Sequence, residues 1–168
     1  MMANVNNTLE YIVENAVTPE KFISECEKKY NNKIKKIAKD IADSEKTEIV
    51  MLAGPSSSGK TTTAKKLCQA LSELGVKSHT VSLDDFYLNN EDSPRFPDGT
   101  PDYETVEALD IPCFEKTMAT LIEKGCALMP EFDFLTGKRK EKYNELKLGE
   151  KDVIIVEGLH ALNPVITE

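Results

Sequence analysis

The sequence contains no tryptophan and only two histidines, and its four cysteines are widely separated. No two cysteines have C-x-x-C spacing, and His79 and His160 each stand alone, so the pattern of a structural zinc site is missing. Scattered cysteines of this kind are typical of reduced thiols that serve as small apolar residues. The sequence therefore indicates neither a disulfide framework nor a Cys/His metal centre.

Long apolar runs and an excess of basic charge are also lacking. No stretch approaches the roughly 20 apolar residues that span a bilayer. The start, MMANVNNTLEYIVENA, has neither the basic nor the apolar region of a secretory signal. The formal net charge is -8, and an acidic surface repels the phosphates of DNA and RNA. We therefore expect a cytoplasmic protein that binds neither membranes nor nucleic acid.

Short apolar runs alternate with amphipathic segments along most of the chain. Residues 49–53, 78–83 and 152–156 read as buried strands, and helical apolar spacing follows the first two. Gly75 is placed to end the first of these helices, while Asp110 and Gly125 are placed to begin and end the second. This alternation predicts an α/β protein with a doubly wound parallel sheet of three core strands. Residues 126–150 predict a β-hairpin insertion over that sheet.

A helical segment precedes the first strand. Thr18 as N-cap and Pro19 at the first helical position predict a leading N-terminal helix over 18–43. We expect its apolar stripe to pack on the rest of the domain or on a partner, and we divide the chain into segments 1–47 and 48–168. The stripe comprises Phe22, Ile23, Cys26, Tyr30, Ile34, Ile37, Ala38 and Ile41.

The stretch GPSSSGKT, residues 54–61, matches G-x-x-x-x-G-K-[ST] between an apolar strand and an amphipathic helix. Its glycines permit a tight turn and close approach of the backbone to a phosphate, and free N–H groups at a helix N-terminus favour anions. The pattern predicts a phosphate-binding loop for ATP, with Lys60 reaching the terminal phosphates and Thr61 ligating Mg²⁺. The predicted nucleotide-binding residues are Gly54, Ser57, Ser58, Gly59, Lys60, Thr61 and Thr62.

Carboxylates follow two of the predicted strands. Asp84 and Asp85 come directly after the second strand, and Glu157 comes after the third. The carboxyl ends of parallel strands open on one crevice, so these groups are expected beside the phosphate-binding loop. Asp84 is the candidate base for a substrate hydroxyl, and Glu157 is the candidate Mg²⁺ ligand with Thr61. His160 either faces the phosphates or is solvated, whereas His79 is expected to be structural or exposed. No N-K-x-D pattern for guanine is present.

With these motifs in place, the sequence resembles the uridine kinase and phosphoribulokinase family of P-loop kinases, most closely the bacterial uridine kinase-like branch. The resemblance implies a P-loop NTPase-type fold, with Asp84 and Lys60 as catalytic residues and ATP-dependent phosphorylation of the 5′-hydroxyl of uridine or cytidine. It also implies that Tyr87, Tyr103, Glu104, Phe132 and Phe134 bind the substrate, with the two phenylalanines enclosing the pyrimidine. The segments that carry it are AGPSSSGKTTTAKKL, SLDDFY, PDYETVEALD, PEFDFLTGKR and VIIVEGLHALNP.

The sequence departs from the uridine kinase pattern at three places. Gly137 stands where those kinases have a base-reading histidine, and Glu104 stands where they have an aspartate. The family continues beyond the third strand with two further strands and a lid helix that carries arginines. We therefore expect this chain to be truncated. We expect it to bind ATP·Mg but to transfer phosphate poorly. Three functions stay open: a nucleoside kinase, a kinase for another small alcohol, and a nucleotide-binding regulatory module. Self-association also stays open.

Overall fold

The computed structural model describes residues 8–44 and 49–167, without the side chain of Asn15. In chain order its elements are α1 (Leu9–Ala16), α2 (Pro19–Ala42), β1 (Ile49–Ala53), α3 (Lys60–Glu73), β2 (Ser78–Ser82), α4 (Ile111–Lys124), β3 (Cys126–Met129), β4 (Phe132–Asp133), β5 (Lys138–Arg139), β6 (Asn144–Lys147), β7 (Val153–Gly158) and α5 (Pro164–Thr167). Short 3₁₀ turns cover Leu83–Phe86 and Val106–Ala108. The boundary predicted at residue 47 lies outside the described residues.

A three-stranded parallel sheet forms the centre of the domain, in the order β1-β7-β2. β7 is buried along its whole length, because both faces of a parallel sheet are covered in α/β folds. Its side chains alternate: Val153 and Ile155 pack against α2 and α3, whereas Ile154 and Val156 pack on the α4 side. The predicted α/β fold with helices on both faces of the sheet is confirmed.

Two predicted strand ends are wrong by one or two residues, with consequences for the site. β7 extends through Glu157 and Gly158, which pair with Leu52 and Ala53 of β1, so Glu157 lies within the strand rather than after it. β2 ends at Ser82, and Leu83 begins the 3₁₀ turn that carries Asp84. An apolar run alone does not mark where ladder hydrogen bonds end, and here the polar end of β7 stays paired.

The helix boundaries follow the predicted capping residues closely. Gly75 and Gly125 adopt φ values of +79° and +69° just after α3 and α4, a region that glycine enters without strain. Asp110 caps α4 by accepting a hydrogen bond from the Cys113 N–H at 3.1 Å. Thr18 occupies the N-cap position of α2 but makes no capping hydrogen bond with its side chain. α1 was not predicted from the sequence.

Only the C-terminal half of α2 packs on the domain. Ile34, Ala38 and Ile41 are buried with α3 and β7, and the Tyr30 hydroxyl hydrogen-bonds the Thr63 hydroxyl at 2.7 Å. Ile23, Cys26 and Ile37 are exposed, so these residues of the predicted stripe do not pack on the domain, and a partner that would cover them stays a prediction. No helix within the described ranges is both long and apolar enough to cross a membrane.

The segment between α4 and β7 forms the predicted hairpin in two antiparallel steps. β3 pairs with β6, and nearer the tip β4 pairs with β5. Gly137 at the tip has φ +65°, and its N–H donates to the Asp133 carbonyl at 2.8 Å. β3 packs along α4, while β4 contacts the 3₁₀ turn after β2, so the tip is held close to Asp84.

Two substitutions in α2 test where this helix is anchored. Ile34 is 6% exposed and Ile23 is 59% exposed. Ile34→Ala leaves a cavity beside α3 and should lower the free energy of unfolding by about 2–4 kcal/mol. Ile23→Ala should change it by less than about 0.5 kcal/mol. Urea unfolding of both variants measures the difference, and equal losses would contradict the packing described.

Candidate active site

The phosphate-binding loop has the tight geometry that its glycines allow. A Cβ on Gly54 would lie 2.7 Å from Ser58 Oγ, so a larger residue would push into the loop. Ser57 and Gly59 both have positive φ, +59° and +86°, which curls the loop back on itself immediately before α3. The loop therefore delivers the free N–H groups of the first turn of α3 to one place.

Lys60 is the first residue of α3, and its ammonium lies across the loop. Lys60 Nζ donates a hydrogen bond to the Pro55 carbonyl at 3.0 Å. The side chain thus stays beside the free N–H groups at the start of the helix, and both favour an anion. This arrangement can bind a phosphate chain.

Glu157 connects the loop to the second strand. Its side chain is buried, and its Oε1 accepts hydrogen bonds from Thr61 Oγ at 3.2 Å and from Ser82 Oγ at 3.3 Å. A hydroxyl and a carboxylate are oxygen ligands of the kind that Mg²⁺ binds, together with substrate phosphates and water. Among the described residues, no group of three or more Asp, Glu, His or Cys side chains could hold a metal ion by itself. Thr61 and Glu157 would therefore bind Mg²⁺ together with a phosphate that supplies further oxygen ligands.

The two neighbouring aspartates have different roles in the structure. Asp85 Oδ1 accepts a hydrogen bond from the Phe132 N–H at 3.2 Å and so fastens the hairpin. Asp84 instead lines a cleft, described below, that Lys60 also lines. Burial, and then the charge of Glu157, raise the pKa of Asp84, while Lys60 acts in the opposite direction. Asp84 is therefore a better proton acceptor than an ordinary aspartate.

One cleft of about 610 Å³ brings the predicted groups together. Residues of the phosphate-binding loop, including Lys60, and three aromatic residues, Tyr87, Tyr103 and Phe134, line it together. Asp84, Glu104 and His160 line the same cleft. Its lining residues are Pro55, Ser56, Lys60, Asp84, Tyr87, Tyr103, Glu104, Phe134, Leu159 and His160.

The four predicted aromatic residues form one cluster with edge-to-face contacts. Their ring centroids lie between 4.9 Å (Tyr87–Tyr103) and 6.1 Å (Tyr103–Phe132) apart. Phe132 and Phe134 touch each other at 5.0 Å, so no third ring fits between them, unlike the enclosure that the resemblance implied. Phe132 is 5% exposed and belongs to the core, whereas Phe134 is 57% exposed and offers its surface to the cleft.

Tyr87 supports the aromatic cluster with its polar end. Its hydroxyl donates a hydrogen bond to the Tyr103 carbonyl at 2.9 Å. Burial, followed by the charge of Asp84, raises the pKa of Tyr87, so the phenol stays neutral and keeps this hydrogen bond.

The histidines lie at opposite ends of the sheet. His160 Nε2 donates to the Glu104 carbonyl at 3.0 Å and so joins the turn after β7 to the Tyr103–Glu104 segment. His79 Nε2 lies 2.7 Å from Asp152 Oδ2 at the far end of the sheet. His160 lines the cleft without deciding between the two alternatives predicted for it, a phosphate-facing or a solvated side chain, whereas His79 has a structural contact.

Four residues of the site have no motif signal in the sequence. Ser82 supports Glu157, and Gly158 lets Leu83 pack closely, since a Cβ on Gly158 would lie 2.7 Å from Leu83 Cβ. Arg139 joins the hairpin to the α4 cap, donating to Asp110 Oδ2 at 3.1 Å and to the Tyr87 carbonyl at 3.1 Å. Asn90 contacts Tyr103. Each acts through a neighbour distant in sequence, which a linear pattern does not reveal.

Comparison with known proteins agrees with this geometry. A family model described as Phosphoribulokinase / Uridine kinase family matches residues 49–165, more than half of the chain. The chain belongs to this family. It is 30% identical over 115 residues to a uridine kinase of Mycoplasma genitalium, a match that covers 68% of this chain and 53% of the relative. A uridine kinase of Borrelia duttonii is 32% identical over 113 residues, 67% of this chain and 51% of the relative. The chain thus spans about half the length of the curated relatives it matches.

Solved structures share the fold at lower sequence identity. A possible uridine kinase from Bacillus stearothermophilus aligns with a TM-score of 0.66 and 21% identity, covering 80% of this chain and 73% of that one. D-glycerate 3-kinase from Cryptococcus neoformans aligns with a TM-score of 0.53 and 23% identity, covering 82% and 52%. At these identities the likeness concerns the fold alone.

The raised pKa of Asp84 has a consequence for stability. The folded chain disfavours the ionised carboxylate relative to the unfolded chain, so at pH 7 this group reduces the free energy of unfolding. Asp84→Asn should therefore raise Tm by a few degrees at pH 7. The gain should shrink as pH falls through the raised pKa and vanish below about pH 4, where the carboxyl is protonated in both states.

Thermal melts of Asp84→Asn at pH 7 and at low pH provide the measurement. Asp98→Asn is the matched control, because hydrogen bonds from Thr100 lower the pKa of Asp98 and its replacement should not raise Tm. A lower Tm for Asp84→Asn at pH 7 would contradict the electrostatics described.

Proposed function

We propose that the chain is the catalytic core of an ATP-dependent kinase that phosphorylates a hydroxyl of a nucleoside of the uridine or cytidine type. The observation that carries this proposal is the single cleft that Lys60, Asp84 and the aromatic cluster share. Membership of the phosphoribulokinase/uridine kinase family supports it. Its small-molecule partners would be a nucleotide and an alcohol acceptor. A cytoplasmic location stays a prediction.

The phosphate-binding loop would bind the triphosphate. The backbone N–H groups at the start of α3 would face the phosphates, and Lys60 would leave the Pro55 carbonyl to contact the terminal ones. Thr61 and Glu157 would hold Mg²⁺, which offsets the charge of the β- and γ-phosphates. The nucleotide-binding role of Gly54, Ser57, Ser58, Gly59, Lys60, Thr61 and Thr62 remains part of the proposal.

Asp84 would act on the acceptor. Its carboxylate would take the proton of the acceptor hydroxyl as that oxygen forms a bond to the γ-phosphorus, while the bond from the γ-phosphorus to the bridging oxygen breaks and ADP leaves. The raised pKa of Asp84 suits a group that accepts a proton near neutral pH. Tyr87, Tyr103, Glu104 and Phe134 would bind the acceptor, and Phe132 would support Phe134 from the core.

A second candidate is a kinase for another small alcohol. The direct contact between Phe132 and Phe134 favours keeping it, because these two rings leave no slot for a base between them. The fold also occurs in a D-glycerate 3-kinase. A panel of uridine, cytidine and D-glycerate separates the two candidates by the acceptor that increases ADP release. The regulatory module is tested on a version extended to the length of the curated relatives, since this chain is expected to transfer phosphate poorly; ATP binding by that version without acceptor-dependent ADP release would favour the module.

Calorimetric titration with ATP·Mg tests the nucleotide half of the proposal. We expect the unmodified chain to bind ATP·Mg and Lys60→Ala to weaken binding at least about 100-fold, because charge-assisted hydrogen bonds to the phosphates are lost. Lys65→Ala on the same helix is the control, since residue 65 lies beyond the first turn, and it should bind normally. Equal affinities for all three proteins would rule out the phosphate-binding role of the loop.

A second titration adds uridine to the ATP-loaded chain. Heat from uridine binding would support the nucleoside proposal. Binding of D-glycerate but not of uridine would favour the small-alcohol kinase and contradict the nucleoside proposal.

A further inference from the structure

Asn90 lies where the loop after β2 meets the hairpin tip and Tyr103, a residue that lines the cleft. Its N–H donates to the Gly137 carbonyl at the hairpin tip, at 2.9 Å. Its carbonyl accepts from Arg95 Nη2 at 2.6 Å. The Tyr103 hydroxyl donates to its side-chain Oδ1. One residue therefore ties the loop after β2 to the hairpin and to the aromatic cluster.

The Asn90 side chain also fills the space above Gly137. A Cβ on Gly137 would lie 1.9 Å from Asn90 Nδ2 and 2.3 Å from Asn90 Cγ. No side chain at position 137 can coexist with Asn90 in this orientation. Gly137 is thus required for this placement of the amide as well as for its own φ of +65°.

Tyr103 transmits this contact to the cleft. Its ring contacts Tyr87, Phe132 and Phe134, and Tyr103 and Phe134 both line the cleft beside Glu104. The hydroxyl is the only polar atom of the ring, and Asn90 Oδ1 is its hydrogen-bond partner among the described residues. The amide is thus the polar contact that holds this ring beside the cleft.

We propose that Asn90 is a positioning residue for the acceptor site: its amide, seated over Gly137, holds the Tyr103 ring in the orientation that binds the acceptor. The proposal rests on the proposed function for the identity of the acceptor, a nucleoside. It does not involve the phosphate-binding loop, because the hydrogen bonds of Asn90 and Gly137 within the described ranges go to Asp133, Arg95, Tyr103 and each other. The pair acts on the acceptor end of the cleft alone.

A double-mutant cycle between Asn90→Ala and Tyr103→Phe tests the proposal. Each change removes the same hydrogen bond, so each should weaken uridine binding to the ATP-loaded chain by about tenfold. The double variant should bind no more weakly than either single variant. Asn90→Asp, which retains the acceptor oxygen, should stay within about threefold of the unmodified chain. The affinity of Asn90→Ala for ATP·Mg should not change.

Gly137→Ala provides an independent variant, because its Cβ displaces the Asn90 amide. It should reproduce the loss of uridine affinity seen in Asn90→Ala. Gly75→Ala is the matched control: Gly75 also has positive φ, at +79°, but its Cβ would meet nothing within 4 Å. Gly75→Ala introduces the same kind of backbone strain but does not displace the Asn90 amide. It should therefore lower Tm and leave uridine affinity unchanged.

Thermal melts of the same four proteins without ligand test the positioning role of Asn90 separately from the proposal that the acceptor is a nucleoside. We expect Asn90→Ala to lower Tm in the unmodified chain and to have no further effect in Tyr103→Phe. Additive losses, in Tm or in uridine affinity, would overturn the positioning role. A chain that binds ATP·Mg but not uridine would refute the nucleoside acceptor, and the melts would still decide whether Asn90 holds Tyr103. A loss of ATP·Mg affinity in Asn90→Ala would show a general structural role and overturn the proposal.

Discussion

The hydrogen bonds of the buried Glu157 carboxylate hold the two sides of the cleft together. Glu157 lies near the end of the central strand β7, with β1 on one side and β2 on the other. Its Oε1 accepts from Thr61, the second residue of α3, and from Ser82, two residues before Asp84. A buried carboxylate persists only when such donors compensate its lost hydration. Glu157 thereby connects the proposed nucleotide side of the cleft to the proposed base, and its charge contributes to the raised pKa of Asp84.

The acceptor side is assembled by a different kind of contact. The hairpin tip is too short to hold a fixed position by its own pairing, since β4 and β5 have only two residues each. It is fastened to the segment after β2 through Asp85, Arg139 and the Gly137–Asn90 pair. Because Asp84 belongs to that same segment, the proposed base and the aromatic rings form one unit. The cleft lies between this unit and the phosphate-binding loop.

The sequence predicts structure well at positions where the residue type serves one physical purpose, such as a glycine at a positive φ or a capping residue at a helix end. The glycines and lysine of the phosphate-binding loop, the α/β alternation and the caps at Gly75, Asp110 and Gly125 could all be predicted. It is less informative where a contact depends on the partner. The neighbouring sequence does not indicate that Glu157 stays paired in the strand, that Ile23 lies on an uncovered part of α2, or that Phe132 and Phe134 touch. The contacts of Asn90 were not predicted, because they exist only once folding brings Gly137 and Tyr103 beside it.

The proposed function depends most on Glu157 and Thr61, which we propose form the Mg²⁺ side of the nucleotide site. The most direct measurement is ATP affinity with and without Mg²⁺, in the unmodified chain and in Glu157→Gln, which keeps the shape and one acceptor oxygen but removes the charge. We expect Mg²⁺ to strengthen ATP binding to the unmodified chain about tenfold or more, and we expect this gain to be largely lost in Glu157→Gln. An equal gain from Mg²⁺ in both proteins would show that Glu157 does not hold the metal ion.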